Sequence, residues 1–215
     1  MGNKVYVVLS DSGTLFGEAV KICSVLSCGE WAAVDSVYTH ASLAFDERLE
    51  EMYSFGVNWN SDGTFSRVGL TVEDLAVEYP GTAQILALEL GLSNAKYRKL
   101  RMNLSKVMKD SQSSGYNVRG LLDYVNKRIA RIPKTDSILG FVGQAAMLAL
   151  GGRKSLFCSQ FVFGILEDSG VKLMDMDRSE VRPADFMSCS RLKNRYRGSV
   201  GSFLEKGRKL CPSKK

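Results

Sequence analysis

Histidine occurs once in the 215 residues, at His40, and that scarcity removes more chemistry than any other feature of the chain. A zinc site built by the protein draws on clustered His and Cys, and one His with no Cys-x-x-Cys pair leaves little to build it from. Neither a phosphate-cradling Gly-x-x-x-x-Gly-Lys loop nor a Gly-x-Gly-x-x-Gly dinucleotide fingerprint is present, so no cofactor is implied. The cysteines are few and odd in number, at 23, 28, 158, 189 and 211. Such irregular spacing is not that of a secreted disulfide framework, and a reducing compartment is expected, with Cys23 and Cys28 as buried thiols. Long apolar runs are missing too: the longest, residues 138–150, falls short of the roughly 20 residues that span a bilayer, and reads as a buried helix. No export signal opens the chain, because Lys4 leads into a short strand pattern followed by Asp11 and Glu18. Tyr6 stands where myristoylation of Gly2 needs Ser or Thr. A cytoplasmic protein without a transmembrane segment is expected.

What is present suits a single globular domain with a sizeable core, at 45% hydrophobic and 24% charged residues. The charge is lopsided. Residues 191–215 carry nine Lys or Arg against Glu205 alone, a balance of +8 that leaves −2 on the other 190 residues of a chain whose total is +6. A basic C-terminal tail at 199–215 is therefore expected, either solvated or in contact with a polyanion such as nucleic acid or an anionic surface.

Along the chain, residues 5–9 form a β-branched run that ends in Ser10-Asp11-Ser12-Gly13, and Leu15, Phe16, Ala19, Val20 and Cys23 follow at helical spacing. The His40 run (38–46) and a second extended run (52–56) predict an antiparallel hairpin. Residues 57–82 hold Asn58, Asn60, Asp62, Gly63, Pro80 and Gly81 and read as a polar loop, after which 84–90 reads as a strand. Helices are predicted over 93–109, with Ser93 as cap, and over 120–132, ended by Pro133. In residues 155–170 the apolar Phe157, Phe161, Val162, Ile165 and Leu166 share one helical face and Gly170 is the natural terminator.

Cys158 thereby falls in the first turn of a buried helix, where unpaired N–H groups and the helix dipole favour a thiolate nucleophile. His40 is the only side chain whose ordinary titration range suits a general base near neutral pH. Each alone has a plainer reading, since free Cys is often buried and a strand His is often structural.

Together, Thr39-His40-Ala41-Ser42-Leu43-Ala44-Phe45-Asp46, Met52-Tyr53-Ser54-Phe55-Gly56 and the distant Phe157-Cys158-Ser159-Gln160-Phe161-Val162 resemble the circularly permuted branch of the NlpC/P60 papain-like superfamily. That branch includes the YiiX-like and lecithin retinol acyltransferase-like proteins. Residues 5–9 with Thr14-Leu15-Phe16, and Arg182-Pro183-Ala184-Asp185-Phe186, are similar to it as well. The resemblance covers residues 1–56 and about 116–198. It implies an α+β, permuted papain-like domain over 1–198, helices packed on a small antiparallel sheet, with an insertion at about 57–115. It implies a cysteine hydrolase acting on an amide bond in a peptidoglycan peptide or other peptide or isopeptide, with Cys158 as nucleophile, His40 as base and helix-start N–H groups for the oxyanion. The family orients its histidine with His, Glu, Asn or Gln from the next strand, and alignment puts Ser54 there. Folding the hairpin about Glu47 also pairs 40 with 54, whereas Glu51 is the better chemistry for steadying an imidazolium. A lipid acyltransferase or thioesterase-like enzyme is an alternative, as is a non-catalytic protein that binds nucleic acid or an anionic surface through the tail.

Overall fold

A computed structural model describes residues 3–11, 38–59, 65–110 and 158–210. The helices expected over 15–23, 120–132 and 138–150 lie outside them, as do Cys23 and Cys28. The described residues form an α+β arrangement around one six-stranded antiparallel sheet in the order β4-β3-β2-β1-β5-β6. The strands are β1 (Asn3–Ser10), β2 (His40–Ala44), β3 (Met52–Trp59), β4 (Phe65–Glu73), β5 (Gln84–Leu92) and β6 (Lys193–Ser199). The helices are α1 (Leu75–Glu78), α2 (Asn94–Asp110), α3 (Cys158–Asp168) and α4 (Val200–Leu210).

β1 is apolar on both sides because it is covered on both. Alternate side chains point to opposite faces, so Val5, Val7 and Leu9 join Leu43, Phe55 and the buried sides of α2 and α3 in one core. Tyr6 and Val8 join Ala44, Met52, Ile85 and Val200 in a second core on the other face. β1 pairs with β5 at eight positions, from Asn3↔Leu92 to Ser10↔Ile85, and β3 pairs with β4 at eight, from Met52↔Glu73 to Trp59↔Phe65. Between these blocks, β2 and β3 share a ladder of two pairs, Leu43↔Tyr53 and Ala44↔Met52.

The polar loop expected over 57–82 instead contains the end of β3, all of β4 and α1. Its polar residues are concentrated at 58–63, and beyond them Val68, Leu70 and Val72 alternate with Gly69, Thr71 and Glu73, which is strand period. The segment expected as an insertion contributes β4, β5 and α2 to the sheet and its cover. Among the described residues of the basic stretch, β6 is an edge strand, Val200 is buried, and the Val200 and Gly201 N–H groups donate to the carbonyls of Ala83 and Gly81 at 2.9 and 2.8 Å.

Both long helix signals are realised at their ends. Ser93 Oγ accepts from the Lys96 N–H at 3.4 Å and caps α2. α3 closes in a Schellman motif, Val171 N–H to the Leu166 carbonyl at 2.9 Å and Gly170 N–H to the Glu167 carbonyl at 2.8 Å, with Gly170 at φ 79°. A Cβ at Gly170 would meet nothing within 4 Å, so the cost of Gly170→Ala is that of the left-handed backbone alone. Denaturant titration should show a loss of about 1–2 kcal/mol. An unchanged midpoint would mean that the helix does not end in this motif. No helix among the described residues is long and apolar enough to cross a membrane.

Candidate active site

His40 is the first residue of β2 and Cys158 the first of α3, and the Cys158 sulfur lies close enough to the imidazole to favour its charge. Cys158 is held there by burial: its helix presses Phe161, Val162 and Ile165 into the core against Phe55, whose ring centre lies 6.1 Å from that of Phe161. The other side of the imidazole meets a carboxylate. Nε2 of His40 lies 2.7 Å from Oε1 of Glu73, the last residue of β4.

Glu73 is 4% exposed, which would be costly for an isolated charge, and it is surrounded by donors. Oε1 takes His40 and the Ser54 hydroxyl, while Oε2 takes the Ser42 hydroxyl at 2.5 Å and the Tyr79 hydroxyl at 3.3 Å. Strand alternation explains how residues so far apart in sequence converge. The ladder at 43↔53 and 44↔52 sets Ser42 opposite Ser54, Ser54 pairs with Thr71, and Glu73 follows two residues on along the same face.

Burial would drive Glu73 towards protonation, but the His40 charge and the hydrogen bonds from His40, Ser42 and Ser54 prevail and hold its carboxyl below the ordinary 4.5. Burial likewise opposes a charge on His40. Against it act the Tyr79 oxygen, the Glu73 carboxylate and the Cys158 sulfur, and the imidazole is held well above its ordinary 6.5. Tyr79 is pushed up to about 12, by burial first and by the Glu73 charge, against the opposing pull of His40. It stays a hydrogen-bond donor throughout the neutral range.

The structure brings His40 and Cys158 together and sets Glu73, in place of Ser54 or Glu51, against the imidazole. Ser54 sits on the expected face, but it touches Glu73 and Thr71. Pairing 40 with 54 required a hairpin two residues tighter than the observed register, and a two-residue slip preserves the face while moving the contact. Glu51 belongs to the opposite face, where Arg101 donates to both its oxygens and the Tyr53 hydroxyl donates to Oε1 at 2.8 Å. Hydrogen bonding by Arg101 keeps its carboxyl low. Ser159, next to the cysteine, donates its hydroxyl to the Val181 carbonyl at 2.6 Å. In the Arg182-Pro183-Ala184-Asp185-Phe186 motif, Asp185 accepts from the Arg182 N–H at 2.8 Å and Phe186 is fully buried, so that motif braces the core.

Glu73, Ser42 and Tyr79 were missed by sequence reasoning. The signal for Glu73 was a carboxylate in the alternation of residues 68–73; nothing local marked the other two. Among the described residues no group of three His, Cys, Asp or Glu could hold a metal ion. No protein-family model matches the chain, and no curated protein or solved structure does either.

Proposed function

We propose that the chain is a cysteine hydrolase of permuted papain-like architecture that cleaves an amide bond in a peptide, an isopeptide or a peptidoglycan peptide. One observation carries the reading: a buried thiol beside the only histidine, whose Nε2 rests on a buried carboxylate. With Nε2 on Glu73, Nδ1 is the nitrogen left to exchange a proton with Cys158.

In the reaction, the Cys158 sulfur forms a bond to the carbonyl carbon, and the carbonyl oxygen takes the negative charge beside helix-start N–H groups. The C–N bond then breaks as the His40 imidazolium gives its proton to the departing amine, leaving a thioester on Cys158. Water attacks that thioester, His40 takes its proton, and the C–S bond breaks to release the acid and the thiolate. Glu73 keeps the ring oriented and balances the charge of the imidazolium. Its four donors hold the carboxylate in place, so Ser54, expected to touch histidine, positions it through Glu73.

The test is to trap the acyl-enzyme. After brief exposure to p-nitrophenyl acetate and an acid quench, tandem mass spectrometry should place the acetyl group on Cys158 in preference to the other four cysteines, and His40→Ala should suppress it. Equal labelling of all cysteines would overturn the assignment. Matched amide, ester and thioester libraries then separate peptide hydrolysis from lipid acyl transfer.

A further inference from the structure

α2 carries six basic residues, at 96, 98, 99, 101, 106 and 109, and one acidic residue, Asp110. Arg101 is committed to the fold, paired with Glu51 and stacked over Phe45 with its guanidinium 4.3 Å from the ring centre. Leu100 and Leu104 fix the buried side. Helical geometry then gathers Arg98, Met102, Lys106 and Lys109 on the outer side with Lys99 at its flank, and all five are exposed. Among the described residues none of these four cations has an ion pair, whereas Lys4, Lys172, Arg178, Arg182 and Arg195 each meet a carboxylate. At the centre of the charged arc, Met102 leaves half of its surface in water.

We propose that this outer face of α2 docks on an anionic lipid bilayer. Three Lys to one Arg suits a plane of mobile headgroups, which needs point charges and not the bidentate fork that reads fixed phosphates. The arc exposes no aromatic ring on which a nucleic-acid base would stack, and it does expose an apolar tip, Met102, to enter the headgroup layer. Because Leu100 and Leu104 are engaged in the core, the helix cannot sink its apolar side into lipid, and attachment is peripheral, electrostatic and salt-sensitive. Arg101 anchors α2 near the hairpin end of β2, the end opposite His40, so the surface works independently of the proposed chemistry.

Flotation of the full chain with vesicles tests this, comparing pure phosphatidylcholine with a phosphatidylcholine–phosphatidylserine mixture at low salt. Binding is expected only to the anionic vesicles and should be released as salt is raised. Each near-surface lysine contributes about fivefold, so Lys99→Gln with Lys106→Gln should weaken partitioning about 25-fold. Met102→Ser should weaken it a further few-fold, and circular dichroism of each variant should match the parent. Lys193→Gln with Arg197→Gln, on β6, should leave binding unchanged. Equal binding to neutral vesicles, loss only in the β6 variant, or a charge effect confined to a nucleic-acid duplex would each overturn the proposal.

Discussion

Glu73→Gln should slow acetylation of Cys158 by about 10^4-fold, the scale seen when a carboxylate that orients a catalytic histidine becomes an amide. The geometry argues for a loss at this extreme. Every hydrogen bond on the Glu73 carboxylate comes from a donor, His40 Nε2 and the hydroxyls of Ser42, Ser54 and Tyr79, so an amide N–H₂ in place of one oxygen either faces the imidazole N–H or reverses the Ser42 and Tyr79 hydroxyls that now hold the carboxylate. The imidazolium also loses its counter-charge, and breaking a buried pair on one side costs about 3–5 kcal/mol of stability at a pH where His40 is charged. Intact-mass acetylation kinetics and denaturant titration read the two effects separately. Because the residues act as a unit, adding His40→Ala to Glu73→Gln should slow the reaction no further than His40→Ala alone. A near-parental rate in Glu73→Gln would remove Glu73 from the machinery.

The same pair should give the protein an unusual dependence of stability on pH. His40 is raised in the folded state, so above the unfolded value of 6.5 the native state keeps a proton that the unfolded chain has lost. Stability then falls with rising pH by about 1.4 kcal/mol per unit until the folded pKa is passed. Glu73 is lowered, so its contribution is present above 4.5 and lost as pH falls through its folded value. The pair is worth most between 4.5 and 6.5. Denaturant titrations at about pH 5.5 and about pH 8 should show the parent losing stability relative to His40→Gln across that interval. Parallel behaviour of the two proteins would show that the imidazole is not held charged.

The parts of the fold legible in the sequence were those with local signals. The β-branched run of β1, the Ser93 cap of α2 and the apolar face and Gly170 stop of α3 all act within a few residues, and they placed Cys158 in α3. β4 was illegible because polar turn residues at 58–63 precede a strand whose apolar members include the exposed Val72. Without β4 there was no Glu73, and the histidine's partner was sought on the wrong strand. In the basic stretch, charges suit an edge strand as well as a solvated segment, and only the pairing of 193–199 with β5 separates the two. Ser42 and Tyr79 owe their roles entirely to long-range convergence on a carboxylate.

The two-pair ladder between β2 and β3 gives the site a second significance. β1, β2 and β5 form one block and β3 with β4 another, and away from the hairpin end their junction is spanned by side chains: His40 and Ser42 from one block, reaching Glu73 on the other. The groups proposed to do chemistry are thus also the clasp between two halves of the sheet. Protonation of Glu73 loosens that clasp, so acid acts on reactivity and on the cohesion of the molecule through one and the same bond.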